Sequence, residues 1–235
     1  MFLQVLSYIP FWTLFNRGIY NGIYYYNDIL FKTDTHKLES ITTNIISSYH
    51  TGKGLQFLFQ ESLKRDIFFT YDPTIHYDSI LAYSISYFLY DVINEIRLNH
   101  FKFDMFFHHS MSLFSGIYLY LINLSQLYLI ALFVELSNFN LNIKDIMDLL
   151  DLKDNNLYML NGILFSITFF ISRILFAPVC LKSAYFLTTE ISNYENTDID
   201  YIPVILVSSF TLLNLYWFRK IVEIIVYKYH KLIDG

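Results

Sequence analysis

Long stretches without a charged side chain alternate with short polar segments along the chain. Residues 105–134, 155–172 and 201–218 contain no Asp, Glu, Lys or Arg. A helix that crosses a bilayer needs about 20 mostly apolar residues, so the second and third stretches each predict one span. The first stretch is too long for one span and has a polar break at residues 123–126, which predicts two helices joined by a tight turn.

Weaker apolar segments complete the pattern, each carrying one or two ionisable groups. The chain therefore predicts an all-α, multi-pass transmembrane bundle of about seven helices, near residues 2–26, 41–60, 79–96, 105–122, 126–143, 157–181 and 202–227. Because Pro10 and Arg17 interrupt the first segment, a six-helix core with an interfacial first segment is the alternative. We expect residues 1–39 to precede a core domain at 40–228, with a cytosolic tail at 229–235.

Basic residues divide unevenly between the two ends of a seven-helix bundle. One end carries Lys32, Lys37, Arg97, Lys102, Lys144, Lys153, Arg219, Lys220, Lys228 and Lys231. The other end carries only Lys64, Arg65 and Lys182. Because Lys and Arg in short loops concentrate on the cytoplasmic side, we expect the N-terminus in the lumen and the C-terminus in the cytosol.

Composition supports a membrane protein and excludes several other classes. Hydrophobic residues make up 54% of the 235 residues and charged residues only 16%, against about 25% charged residues in a typical soluble domain. A net charge of -5 leaves no basic field for nucleic acid. The single cysteine, Cys180, excludes an intrachain disulfide framework and a multi-cysteine zinc site. The sequence also lacks a P-loop, a Rossmann glycine pattern and a nucleophile elbow.

Ionisable side chains recur inside the predicted spans, where a charge costs about 2.5–3.5 kcal/mol even on the lenient insertion scale. They are His50, Lys53, Asp91, Glu95, His108, His109, Glu135 and Arg173. The simplest common explanation is one polar site lined by several helices. The alternative is structural, since interhelical hydrogen bonds of about 0.6 kcal/mol each can hold a bundle together without any chemistry.

Helical spacing groups these side chains on shared faces. Asp91 and Glu95 are four residues apart and Glu135 and Asn138 are three apart, so each pair shares one side of its helix. The adjacent histidines diverge by about 100° around a helix. Both rings therefore cannot easily bind one metal ion or one substrate atom, and we expect no metal site.

Imidazole suits general-base work near neutral pH, and a carboxylate can orient it and stabilise the imidazolium. If the protein is an enzyme, the expected reaction is attack by a lipid amine or hydroxyl on an activated acyl thioester. His108 or His109 is then the base, and Glu135 or Asp91 is the orienting acid. The expected substrate-binding residues are His50, Ser112, Asn138 and Arg173, and we expect Arg173 to pair with Glu135 or Asp91.

Six segments in order resemble the TLC domain, the multi-span family named after TRAM, Lag and CLN proteins. The likeness covers residues 40–228. The segments are Ser47-Ser48-Tyr49-His50, Ser86-Tyr87-Phe88-Leu89-Tyr90-Asp91, His108-His109, Val134-Glu135-Leu136-Ser137, Leu157-Tyr158-Met159-Leu160-Asn161-Gly162, and Phe169-Phe170-Ile171-Ser172-Arg173 followed by Pro178.

The resemblance implies an endomembrane protein concerned with lipids, in the endoplasmic reticulum or another endomembrane, or in a host membrane if the gene is viral. In the Lag-type ceramide synthases of this family, a paired histidine matching His108-His109 is needed for N-acylation of a sphingoid base by acyl-CoA. Acyl-CoA would be a co-substrate here, with no bound cofactor. Those enzymes carry a downstream Asp-x-x-Asp pattern, whereas this chain has only Glu135 in the corresponding stretch, a form closer to the small TLC-domain-containing proteins.

Two function classes stay open at this point. One is a membrane protein of lipid metabolism or homeostasis that transfers acyl groups, and the other is a non-enzymatic lipid-sensing or protein-trafficking protein. An enzyme needs an open path for an acyl chain to His108 or His109, whereas a structural network would be sealed. The expected partners are membrane lipids and no nucleic acid, and a homo-oligomer is compatible with either class.

Overall fold

The computed structural model describes residues 2–30, 35–97 and 103–233, and every regular element within these ranges is helical. The helices are α1 (Phe2–Leu30), α2 (Thr35–Ser62), α3 (Asp78–Arg97), α4 (Phe103–Leu121), α5 (residues 125–149), α6 (Asn156–Glu195) and α7 (Ile202–Ile233). The prediction of an all-α fold with about seven helices is therefore confirmed. Two basic residues of the predicted cytosolic end, Lys32 and Lys102, lie outside the described residues.

Two of the helices change their winding part-way along. α5 becomes a 3₁₀-helix over Leu132–Ser137 before it returns to an α-helix. α6 contains a π-helical turn at Phe170–Leu175, just before Pro178. Proline has no backbone N–H and its ring crowds the carbonyl of the preceding turn, which disfavours a regular α-helical turn before Pro178. Such turns mark functional sites in many proteins, and these two carry Glu135 and Arg173.

The first helix belongs to the bundle in spite of Pro10, which α1 contains without a break. Trp12 is fully buried between α1 and α3. Its indole Nε1 donates a hydrogen bond to Ser86 Oγ on α3, at 3.0 Å. The core also contains leucines that are fully buried from solvent, such as Leu81 of α3 and Leu129 of α5. α1 is thus packed against the core and contributes to it.

α6 and α7 expose most of their apolar surface. Within the described ranges, two segments are long and apolar enough to cross a membrane, Asn156–Glu195 and Ile202–Tyr227. Their outward-facing side chains include Ile163 and Leu212, which are 51% and 68% exposed. The length and apolarity of these two helices support the prediction of a membrane protein. Which side of the membrane each end faces stays a prediction.

Candidate functional site

The two adjacent histidines of α4 face different sides of the helix. Their ring centroids are 5.4 Å apart, and both residues are buried. His108 faces α5 and α7, where its ring lies against Phe210 and Trp217. His109 faces α3 and contacts the carboxylates of that helix. The two side chains therefore point in different directions, as expected for adjacent residues about 100° apart around a helix.

His108 is paired with Glu135. The distance from His108 Nε2 to Glu135 Oε1 is 3.6 Å, which is longer than a hydrogen bond but short enough for an ion pair. The other ring nitrogen, Nδ1, is buried and has no hydrogen-bond partner among the described residues. His108 thus has an acid on one side and a free nitrogen on the other. This arrangement fits a base that takes up a proton at Nδ1 while Glu135 stabilises the resulting charge.

Arg173 fixes the carboxylate of Glu135 from the opposite side. Its guanidinium Nη2 lies 3.8 Å from Glu135 Oε2. Nη2 also donates to Asn138 Oδ1 at 2.7 Å, while Nε and Nη1 donate to Ser137 Oγ and Asn214 Oδ1 at 2.9 and 3.0 Å. The side-chain amide of Asn138 in turn donates to Glu135. The expected pairing of Arg173 with Glu135 is confirmed, and the buried positive charge is balanced by a buried negative one.

His109 forms a second polar cluster with α3. Its Nδ1 lies 2.9 Å from Asp91 Oδ2 and 3.2 Å from Glu95 Oε1. Asp91 and Glu95 reach the same ring because they are one helical turn apart, as their spacing predicts. The candidate catalytic residues are therefore divided between two clusters. One joins His108 to Glu135, and the other joins His109 to Asp91.

An apolar cavity of about 90 Å³ borders His108. It follows α4 from His108 to Leu119, a distance of about 16 Å at 1.5 Å per residue. Glu135 and Arg173 line the polar end, and the opposite wall is formed by α7 with apolar side chains such as Val207. Ser112 also lines this cavity, while its Oγ donates to the carbonyl oxygen of His108 at 2.9 Å.

A larger and polar cavity of about 410 Å³ borders His109. Ends of α2, α3, α4 and α5 surround it, at the end of the bundle that the basic residues predict to be cytosolic. Four of its lining side chains are acidic: Asp91, Glu95, Asp145 and Asp148. Among the described residues that line this cavity there is no Lys or Arg. Asn138 lines this cavity and donates to Glu135, which lines the apolar one, so this hydrogen bond lies between the two cavities.

His50, one of the expected substrate-binding residues, lines neither of these two cavities. Its Nε2 lies 3.1 Å from Ser84 Oγ, and its ring stacks on Tyr87 with centroids 4.0 Å apart. Tyr87 lines the polar cavity and covers one face of His50. Trp12 approaches the imidazole from α1, with ring centroids 6.1 Å apart. The aromatic packing of three helices therefore encloses His50, which is 1% exposed.

Sequence analysis missed two residues of the site, Ser137 and Asn214. Both bind the guanidinium of Arg173 and both are buried. Asn214 is an isolated amide in a charge-free stretch of α7, and that isolation is the one signal in the sequence that points to it. Ser137 follows Glu135 by two residues, and in a regular α-helix the two side chains would point to different faces.

A sequence model of the TLC domain matches residues 38–223. The match covers most of the chain and includes every residue of the two clusters described above. A search of the curated proteins finds no significant match to this chain.

Proposed function

The chain belongs to the TLC domain family, and we propose from this membership that it transfers an acyl group to a lipid amine or hydroxyl within a membrane. The family generally consists of membrane proteins tied to lipid metabolism or homeostasis. One observation carries the proposal beyond the family. His108, with a free ring nitrogen and Glu135 behind it, borders an apolar cavity, while its neighbour borders a polar cavity.

In the proposed reaction, the amine or hydroxyl of the acceptor lipid attacks the carbonyl carbon of an acyl-CoA thioester. A C–N or C–O bond forms and the C–S bond breaks. The proton of the nucleophile passes to Nδ1 of His108 and then to the departing thiolate of CoA. The step needs neither an oxidant nor a reductant, and His108 returns to its starting state.

Glu135 and Arg173 have supporting roles in this scheme. Glu135 stabilises the imidazolium that forms when His108 takes the proton. Arg173 and Asn138 hold Glu135 from the far side, so that the carboxylate is oriented before the reaction starts. Preorganised charges of this kind act strongly because water is excluded from their surroundings.

A long acyl chain needs more room than the apolar cavity has. Its volume of about 90 Å³ is spread along about 16 Å of α4, so the cavity is narrow for its length. The outer wall is α7, which is mostly exposed, and polar contacts join α4 to α7 and to the residues just before it near both ends of α4. Trp217 Nε1 donates to Asp104 Oδ2 at 3.1 Å, and the hydroxyl of Tyr118 donates to Asp200. We infer that an acyl chain enters between α4 and α7 as α7 moves outward.

The test is a comparison of lipids in cells that lack their own ceramide synthases. Wild type, His108→Ala and His76→Ala are expressed, and labelled sphingoid base and fatty acid are supplied. His76 is a matched control, because it is exposed in the loop between α2 and α3. We expect a new labelled lipid with wild type and His76→Ala, and none with His108→Ala at equal membrane abundance.

Identical lipid profiles for wild type and His108→Ala would overturn the acyltransferase proposal. They would favour the second candidate function, a non-enzymatic protein that senses lipids or assists protein trafficking. One observation favours that function already, since Arg173 uses three of its nitrogens in hydrogen bonds within the bundle. Purified protein distinguishes the two directly, because only an enzyme releases free CoA thiol from acyl-CoA in the presence of an acceptor lipid.

A further inference from the structure

Two carboxylates and an imidazole converge beside the polar cavity. Asp91 and Glu95 lie one turn apart on α3, and His109 faces them from α4. One ligand atom from each residue lies within 4.8 Å of the other two. We infer that these three residues form a binding site for a divalent cation of the zinc or manganese type.

Charge balance supports a bound cation. Two carboxylates give the cluster a charge of minus two when both are ionised, and a protonated His109 would neutralise only one of them. Among the described residues, no Lys or Arg side chain forms an ion pair with Asp91 or Glu95. An excess buried negative charge is unfavourable. A divalent cation bound to a neutral imidazole would neutralise both carboxylates.

Unused lone pairs support it independently. Asp91 Oδ1 and Glu95 Oε2 are buried and have no hydrogen-bond partner among the described residues. His109 Nδ1 lies close to both carboxylates, yet it meets hydrogen-bond geometry with neither. His109 is 8% exposed and Asp91 is 4% exposed. Buried polar atoms are normally hydrogen-bonded, so these three atoms leave capacity for a partner that the described residues do not supply.

The separations and donor types fit a transition-metal cation. Ligand atoms bound at 2.0–2.1 Å around a tetrahedral zinc ion are about 3.3 Å apart. The distances from His109 Nδ1 to Asp91 Oδ2 and Glu95 Oε1 are 2.9 and 3.2 Å. Imidazole and carboxylate donors suit Zn²⁺ or Mn²⁺. The remaining coordination positions would face the polar cavity, whose volume of about 410 Å³ has room for water ligands.

The expectation that no metal binds came from the adjacent histidines, and that part of the argument stands. His108 and His109 face different sides of α4, so they do not share an ion. The other ligands of the proposed site are Asp91 and Glu95 of α3, which join His109. The inference does not depend on acyl transfer, because the proton in the proposed reaction passes through His108 and not through His109.

The test uses the full-length protein purified in detergent and stripped with a chelator. Binding of Zn²⁺, and separately of Mn²⁺, is measured by titration, and the bound metal is counted by elemental analysis. We expect about one ion per chain for wild type. The variant Asp91→Asn/Glu95→Gln keeps the size of both side chains and should bind at least tenfold more weakly. Asp145→Asn removes an acid from the same cavity outside the cluster, and should bind like wild type.

Absence of bound metal from the stripped and reloaded wild type would overturn the inference. So would equal affinity for wild type and the double variant, because the ion would then be bound elsewhere. Substitution with Co²⁺ provides a second measurement, since its visible absorption reports nitrogen and oxygen ligation directly. That spectrum should change in His109→Gln and stay unchanged in His108→Gln, and the reverse result would place the ion on the other histidine. Neither measurement relies on enzymatic activity.

Discussion

The Nε2 atom of His108 lies 3.6 Å from Oε1 of Glu135, across the interface between α4 and α5. Catalytic hydrogen bonds are often long in proteins without substrate and tighten once the substrate is bound. Glu135 cannot drift away from the ring, because Arg173 and Asn138 hold its other oxygen. The two helices thus keep an acid beside a base inside an otherwise apolar interior.

Replacing Glu135 by glutamine should remove the charge that stabilises the imidazolium and retain the shape of the side chain. We expect acyl transfer by Glu135→Gln to fall by about 10²–10⁴-fold, the usual contribution of acid–base catalysis. Release of CoA thiol by purified protein measures the rate. Glu223→Gln, at an exposed position of α7, serves as the control. Full activity of Glu135→Gln would contradict the proposed role.

Arg173→Ala should destabilise the bundle, because it leaves the charge of Glu135 buried without its partner. Breaking a buried pair on one side costs about 3–5 kcal/mol. Thermal unfolding in detergent measures the loss, and adding Glu135→Gln to Arg173→Ala should restore part of it. Arg219→Ala removes an exposed arginine of α7, and we expect it to unfold like wild type. Equal unfolding temperatures for Arg173→Ala and Arg219→Ala would contradict the claim that Arg173 stabilises the bundle by neutralising Glu135.

Gly116 lies where α4 packs closely against α3 and α5. A Cβ at this position would lie 2.8 Å from Ile85 Cγ1 and 3.2 Å from Tyr128 Cε2. Gly116→Ala should therefore destabilise the protein by about 1–3 kcal/mol, as overpacked cores do. Gly162 of α6 has no atom within 4 Å of a built Cβ, so Gly162→Ala should leave the unfolding temperature unchanged or raise it. If Gly116→Ala were more stable than Gly162→Ala, the close packing of α4 around Gly116 would be contradicted.

Cys180 reports on the occupancy of the apolar cavity, which it lines. The chain has one cysteine, so N-ethylmaleimide can modify only this thiol. We expect slow modification because Cys180 is 5% exposed, and a further several-fold slowing with long-chain acyl-CoA. Mass spectrometry follows the reaction. Short-chain acetyl-CoA is the control, and equal protection by both would show that the chain does not enter the cavity.

Orientation in the membrane can be tested at two exposed aspartates. Asp154 lies between α5 and α6, and Asp198 lies between α6 and α7. Each is changed to cysteine after Cys180→Ala. In sealed vesicles with the cytosolic face outward, an impermeant maleimide should label Asp154→Cys at once, and Asp198→Cys only after detergent is added. The reverse result would invert the predicted topology, and equal labelling would show that α6 does not span the membrane.

The helices themselves follow from local properties of the sequence. Apolar stretches and the polar break at residues 123–126 were enough to predict all seven, because hydrogen bonds within a helix and apolar side chains on its surface need no distant partner. Asn123 occupies the left-handed region there, with φ at 55°, as expected for an asparagine in a tight turn. The predicted end of α6 near residue 181 was too early, because the helix continues to Glu195.

The grouping of acids and bases within the site follows partly from spacing along one helix. Asp91 and Glu95 share a face, and the two histidines diverge, as the helical period requires. Only the tertiary structure decided which histidine meets which acid. That choice depends on the rotation and register of neighbouring helices, and these are set by contacts between side chains far apart in sequence. The packing directs His109 towards α3 and His108 towards Glu135.

The positions of His50, Glu135 and Arg173 also depend on tertiary packing that the sequence alone does not give. Sequence analysis assigned His50 to the site because it is ionisable, yet Tyr87 and Trp12 enclose it in the core. Glu135 and Arg173 sit on a 3₁₀ turn and a π turn, where the side chains are rotated away from regular α-helical positions. The sequence by itself determined the seven helices and the polar residues that they contain. The tertiary structure decided which of those residues meet, because the free energy of helix packing depends on the whole bundle and not on any one segment.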